Sequence, residues 1–112
     1  MENDKNTALQ PIQSEAVLLA ATQYFEGDTL AATVWMNKYA LKDSFGNLFE
    51  RSPNDMHLRI ASELARIEQK YPNPLSKEDI LLAIKDFRYL VPQGSPMAGI
   101  GNNLQIVSLS NC

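Results

Sequence analysis

The sequence predicts a mainly α protein of about four helices, followed by one loop and one strand at its carboxyl end. Two observations predict the helices. Apolar residues recur at helical spacing in four segments between residues 14 and 88, and a capping residue, a glycine or a proline stands at the segment ends. A third observation predicts the strand: residues 104–109 are apolar in both alternation phases, which is typical of a buried strand.

Residues 1–13 form a polar head that we expect to be disordered, because only isolated apolar residues interrupt it. The first predicted helix begins at Ser14, whose hydroxyl can cap it, and Glu15 suits the positive helix end. Gly27 ends this helix, and its apolar positions are Val17, Leu18, Ala21 and Phe25.

Asp28 can cap a second helix that runs to Leu41. One side carries Leu30, Val34 and Leu41, and another carries Trp35 and Tyr39. Since both helices are short and amphipathic, we expect them to pack as a helical hairpin.

Residues 42–51 link this hairpin to the next helix. They contain the pair Gly46-Asn47, which is typical of a tight turn between short extended pieces. We interpret the segment as a connector that contains at most a small β-hairpin.

Ser52 and Pro53 predict the start of a third helix, with a cap followed by proline at the first helical position. Its inward face is predicted to carry Met56, Ile60, Leu64 and Ile67. His57 is the one histidine of the chain and has no cysteine or second histidine at ligand spacing. We therefore expect it on the surface rather than in a metal site.

Pro72 and Pro74 end the third helix, because proline removes a backbone donor and clashes with the preceding turn. Ser76 followed by Asp79 resembles a shortened capping box and predicts a fourth helix. Its inward residues are predicted to be Ile80, Ile84 and Phe87. The helical domain thus covers residues 14–88.

Beyond residue 88 the pattern changes, and we expect a domain boundary near residue 89. Pro92 and Pro96 oppose a regular helix, so the sequence predicts a loop before the strand. The last residue, Cys112, is the only cysteine, and such a residue is most often a small buried apolar group. Because nothing polar covers the apolar strand, we expect the chain to be a piece of a larger protein.

Composition excludes some classes of function. The net charge of −3 and a pI near 5.0 argue against direct binding of nucleic acid, which requires a basic surface. The sequence shows no signal peptide, and no apolar stretch approaches the ~20 residues of a membrane span. We expect a cytoplasmic protein with no membrane partner.

Five blocks of the sequence resemble the large chains of ribonucleotide reductase. VPQGSPM (91–97), GIGNN (99–103) and SLSNC (108–112) are similar to the start of the ten-stranded α/β barrel of that family. TVWMNKYAL (33–41) and SPNDMHLRIA (52–61) are similar to its helical N-terminal domain, particularly in adenosylcobalamin-dependent members. The resemblance implies that residues 14–88 are this domain and residues 89–112 are the substrate loop and first strand of an incomplete α/β barrel.

The resemblance also implies roles for four residues. Cys112 matches the first cysteine of the redox pair that reduces the ribose, and Ser95 matches a loop residue that contacts the substrate nucleotide. Ser110, Asn111 and Cys112 match the strand end beside the substrate. Such a thiol pair can supply the two electrons with which a ribose hydroxyl leaves as water. No metal ligand is implied among these residues.

By the same resemblance, the chain is part of a ribonucleoside-diphosphate reductase that makes deoxyribonucleotides. Adenosylcobalamin would be bound by residues beyond Cys112; the alternative radical source is a metal-containing second subunit. The expected partners are the ribonucleotide substrate, the remainder of the barrel and a dithiol reductant such as thioredoxin. Because the radical-bearing cysteine would lie downstream, the chain alone is not expected to turn over.

Two other hypotheses remain open. A stand-alone helical interaction module could pair its final segment with the sheet edge of a partner. Alternatively, a split reductase could assemble this chain with a separate chain carrying the rest of the barrel, with the apolar strand as the interface.

Overall fold

A computed structural model describes residues 10–105, and five α-helices form the framework of this part of the chain. Their bounds are α1 Ser14–Tyr24, α2 Thr29–Lys38, α3 Pro53–Glu68, α4 Lys77–Ile84 and α5 Gly94–Gly99, with a 3₁₀ turn at Lys85–Phe87. No β-strand occurs within residues 10–105, where two isolated antiparallel bridges join Leu48 to Ile12 and to Lys42. The mainly α class is confirmed there, and the connector contains bridges rather than a hairpin.

The helices pack as two pairs, α1 against α2 and α3 against α4. The predicted hairpin of α1 and α2 is therefore confirmed. The indole Nε1 of Trp35 donates to the thioether sulfur of Met56 at 3.3 Å, which joins the two pairs inside the core. The buried apolar residues are Val17, Ala21, Ala32, Trp35, Ala40, Leu48, Met56, Ile60, Ala61, Ile80, Ile84 and Met97.

The inward face of α2 carries Ala32 and Trp35, whereas Leu30 is 74% exposed and Val34 also faces solvent. Of the two sides that the sequence distinguishes, the aromatic one faces the core, with Trp35 buried and Tyr39 partly buried. Burying Trp35 removes more apolar surface from water than burying Leu30 or Val34 would, and this decides which side faces α1 and α3.

Of the four predicted helix caps, two form the expected hydrogen bond, Ser52 holds the capping position without one, and Ser14 is wrong. Asp28 Oδ1 accepts the Ala31 N–H at 3.0 Å, and Ser76 Oγ accepts the Asp79 N–H at 3.0 Å. Ser14 is already helical, and the capping position belongs to Gln13, whose side chain makes no cap hydrogen bond.

Helix α2 ends at Lys38 rather than at the predicted Leu41. The Leu41 N–H donates to the carboxylate of Glu50 at 2.9 Å, so it is bonded outside the helix. A tertiary hydrogen bond therefore takes the place of the last helical turn that the sequence predicts.

The predicted surface position of His57 is wrong, because its side chain is fully buried. His57 precedes Ile60 and Ala61 by three and four residues, and all three share the inward face of α3. Its ring meets the edge of the Phe87 ring at a centroid distance of 4.7 Å. The 3₁₀ turn that carries Phe87 thus covers the beginning of α3.

The segment predicted as a loop contains α5, which includes Ser95 and Pro96. Pro96 is the third residue of this helix, where N–H groups have no intrahelical partner, so proline there costs no hydrogen bond. The predicted strand 104–109 lies mostly outside the described residues. At its start, the N–H groups of Leu104 and Gln105 donate to Asn102 Oδ1.

Replacing Ser76 by alanine should lower the free energy of unfolding by about 1 kcal/mol, because the Asp79 N–H loses its acceptor. Ser52 is the matched control: it occupies the same position before α3, yet its side chain makes no cap hydrogen bond. Urea unfolding of Ser76→Ala and Ser52→Ala would measure both losses, and equal losses would contradict the role of the Ser76 hydroxyl.

Candidate functional site

Ser95 is the one predicted site residue within the described part of the chain, whereas Ser110, Asn111 and Cys112 lie outside residues 10–105. Ser95 is half-buried in the first turn of α5. Beside it, a Cβ on Gly94 would lie 3.0 Å from Cε1 of Tyr39, so this glycine permits close packing of α5. Met97 of the same helix is buried in the core. Ser95 is thus carried by a helix that is held against the helical framework.

Arg59, from the middle of α3, holds the other end of this helix. Its side chain is 8% exposed. Nη1 donates to the carbonyl oxygen of Ile100 at 2.6 Å, and Nη2 donates to that of Met97 at 2.7 Å. Carbonyl groups at the end of a helix have no intrahelical partner, and Arg59 supplies the donors.

Glu50 is the counter-ion of Arg59 and is also buried, with 5% of its side chain exposed. Its Oε2 accepts from Arg59 Nε at 2.8 Å, and its Oε1 accepts the Leu41 N–H at 2.9 Å. Nearby, burial lowers the pKa of Lys42, and the charge of Glu50 opposes this in part. The Arg59–Glu50 pair therefore ties together the end of α2, the connector, α3 and the end of α5.

Gly101 lies directly on Arg59. Its φ of +74° is in the region that favours glycine, and a Cβ there would lie 2.9 Å from Cγ of Arg59 and 3.3 Å from the Arg59 carbonyl oxygen. Any larger residue at position 101 would both strain the backbone and push the chain away from α3.

A second polar cluster lies where the 3₁₀ turn meets α1. The hydroxyl of Tyr24 donates to Asp86 Oδ1 at 2.9 Å. Burial first, then this hydrogen bond and the charge of Asp86, raise the pKa of Tyr24. Asp86 has a φ of +57°, which is unusual for a residue other than glycine. The Tyr24 hydrogen bond helps to hold this conformation.

His57 lies close to this cluster, and neither of its ring nitrogens has a hydrogen-bond partner among residues 10–105. Burial lowers the pKa of His57, and the charge of Asp86 opposes the effect in part. Because charging an unpartnered buried ring is unfavourable, burial favours the neutral form of the imidazole in the folded protein.

Sequence reasoning missed Arg59 and Glu50. The available signal is weak: an arginine lies next to Ile60 and three residues after Met56, and a glutamate stands nine residues earlier. An arginine next to the apolar residues on the inward face of a helix is usually exposed. The position of Arg59 in the sequence therefore does not by itself indicate burial.

Among the described residues, no three His, Cys, Asp or Glu side chains are grouped closely enough to hold a metal ion. None of the helices within residues 10–105 has the length and apolar character needed to cross a membrane.

Replacing Arg59 by methionine should lower the free energy of unfolding by about 3–5 kcal/mol, because the Glu50 carboxylate would remain buried without its counter-ion. Arg66→Met is the control: Arg66 pairs with Glu63 at 2.6 Å on the surface, and such pairs contribute about 0–1 kcal/mol. Urea unfolding measures both, and similar losses would contradict a special role for the buried pair.

The free energy of unfolding should fall as the pH drops below about 6.5, the ordinary pKa of histidine. The pKa of His57 is lower in the folded protein than in the unfolded chain, so the unfolded chain is protonated first as the pH falls. Protonation then stabilises the unfolded chain relative to the folded protein. For one proton, the free energy of unfolding can change by at most about 1.4 kcal/mol per pH unit. Below the pKa of His57 in the folded protein, this change stops.

His57→Phe keeps an aromatic ring against Phe87 and removes the titrating group. Urea unfolding between pH 7.5 and 5.5 should therefore give a flatter profile for this variant than for the unmodified chain. Parallel profiles would show that His57 does not titrate differently in the two states.

Comparison with known proteins gives one family. The model of the ribonucleotide reductase all-alpha domain matches residues 25–99, about two thirds of the chain. The match includes α2 to α5, together with Glu50, Arg59 and Ser95. Searches of curated proteins and of solved structures returned no match. With five helices in the described residues and a family match over most of its length, the chain belongs to the ribonucleotide reductase family and contains the all-alpha domain of its large chains.

Proposed function

We propose that this chain is the amino-terminal part of a ribonucleotide reductase catalytic chain that acts in the cytoplasm. The observation that carries the proposal is the family match over residues 25–99, which includes the helix bearing Ser95. In this proposal residues 89–112 form the substrate-binding segment, which includes helix α5, and the first strand of the catalytic barrel. The remainder of that barrel is the partner of the helical domain.

The proposed reaction replaces the 2′-hydroxyl of a ribonucleotide by hydrogen. The hydroxyl leaves as water, and two thiols supply two electrons and two protons while they become a disulfide. Cys112 is one of these thiols, and the second comes from the remainder of the barrel. A dithiol reductant such as thioredoxin then restores the pair.

In this proposal Ser95, Ser110 and Asn111 contact the substrate. The geometry of α5 supports the role of Ser95: its helix is held by Gly94 against Tyr39 on one side and by Arg59 on the other. A contact residue on a fixed helix loses little conformational entropy when the substrate binds.

The proposal also specifies the class of reductase, which is defined by its radical source and its substrate. The blocks at residues 33–41 and 52–61 favour an adenosylcobalamin-dependent diphosphate reductase, and a metal-containing second subunit is the alternative radical source. The one imidazole, a common nitrogen ligand of metals, is fully buried and therefore not available to a cofactor. The cofactor would be bound by residues beyond this chain.

The test joins this chain to the remainder of the barrel and measures reduction of ribonucleoside diphosphate with adenosylcobalamin and thioredoxin. Cys112→Ser should abolish turnover, because one electron-donating thiol is removed. Ser95→Ala should raise KM about tenfold or less, the effect of one lost hydrogen bond. Ser62→Ala, on the exposed face of α3, is the control.

Normal turnover by Cys112→Ser with thioredoxin would overturn the proposed redox role. An unchanged KM in Ser95→Ala would overturn the proposed substrate contact. If no reduction occurs with adenosylcobalamin but a metal-containing subunit restores it, the cofactor class is wrong and the reductase assignment stands.

A further inference from the structure

Helix α5 has only six residues, far fewer than the ~12–15 that an isolated helix needs in water. Its position therefore depends on contacts with the rest of the chain. Those contacts include the packing of Gly94 against Tyr39, the buried side chain of Met97 and the two hydrogen bonds from Arg59 to the carbonyl groups of Met97 and Ile100.

Arginine suits this place because its planar group presents donors in two directions at once. Nε and Nη2 face the Glu50 carboxylate, while Nη1 and Nη2 face the carbonyl groups of Ile100 and Met97 at the end of α5. A lysine has a single ammonium group, which could keep the pair with Glu50 but could not reach the carbonyl groups as well. The two tasks of Arg59 can therefore be separated by one substitution.

Gly101 provides an independent way to disturb the same contact. A Cβ at this position would meet Cγ and the carbonyl oxygen of Arg59 without altering any charge. Residues 100–105 would then be displaced from α3, while the Arg59–Glu50 pair could remain.

We propose that Arg59 is a positioning residue, which fixes the end of α5 and the turn after it so that Ser95 and residues 100–105 are held in one arrangement. The functional part of this inference rests on the proposed substrate contact of Ser95. The claim that Arg59 fixes the end of α5, which is the mechanical part, rests on the contacts of Arg59 alone. The competing explanation is that the buried pair only stabilises the helical domain as a whole.

Amide hydrogen exchange of this chain separates the two explanations. The reporters are the N–H groups of Ile100 and Asn102, which bond to the carbonyl oxygens of Pro96 and Gly99. The reference is the Ile80 N–H, bonded to the Ser76 carbonyl in α4. Exchange is compared in Arg59→Lys, in Gly101→Ala and in the surface control Arg66→Lys.

In Arg59→Lys and Gly101→Ala, exchange at the reporters should become faster by about tenfold or more, because a hydrogen bond from a charged group is lost or displaced. Exchange at the reference should change by less than about threefold, and the control should change neither. Equal acceleration of reporters and reference, or no acceleration, would overturn the inference.

The assembled reductase gives the functional readout. Arg59→Lys should raise KM for the ribonucleoside diphosphate by a factor similar to that of Ser95→Ala, with little effect on kcat. If Ser95→Ala raises KM and Arg59→Lys does not, Arg59 does not position Ser95. If Ser95→Ala has no effect, the proposed substrate contact fails, and the exchange experiment alone decides the mechanical role of Arg59.

Discussion

The buried pair of Arg59 and Glu50 is the interaction on which the rest of the structure depends. Four segments that are distant in sequence meet at these two side chains: the end of α2, the connector, α3 and the end of α5. A buried ion pair is not in itself a strong source of stability, because both charges lose their hydration. Its value here is geometric, since the directional donors of Arg59 select one arrangement of the chain.

The apolar core and this ion pair contribute to the fold in different ways. Apolar contacts among α1, α2, α3 and α4 are non-directional and tolerate small shifts of one helix along another. The ion pair tolerates little displacement, because its hydrogen bonds require defined distances and angles. The short helix α5 combines both kinds of contact, with Met97 in the core and its last carbonyl groups on Arg59.

The parts of the fold that the sequence predicts correctly depend on local rules. Asp28 and Ser76 cap their helices through atoms within three residues, so the pattern is visible in the sequence. The predicted surface position of His57 is wrong because the inward face of α3 is wider than the predicted row of Met56, Ile60, Leu64 and Ile67. This face also includes His57, which follows Met56 directly. Helix α5 was missed because proline excludes the interior of a helix but not its first turn.

The candidate site is less predictable, for a physical reason. Ser95 was identified through a family resemblance, whereas its support by Arg59 depends on how α3 crosses the end of α5, which no local pattern encodes. Glu50 and Arg59 are nine residues apart, on either side of the start of α3, and no local rule of the sequence brings these two side chains together. Long-range polar contacts of this kind become evident only from the fold.

The contact of Trp35 with Met56 has a practical consequence for anyone who studies this domain. Trp35 is the only tryptophan of the chain, and its indole ring is shielded from solvent against a thioether sulfur. Its fluorescence therefore reports directly on whether the two helical pairs are docked, without any added label. Oxidation of Met56 to the sulfoxide would insert a polar oxygen at the same place, so this optical signal would also reveal chemical damage to the core.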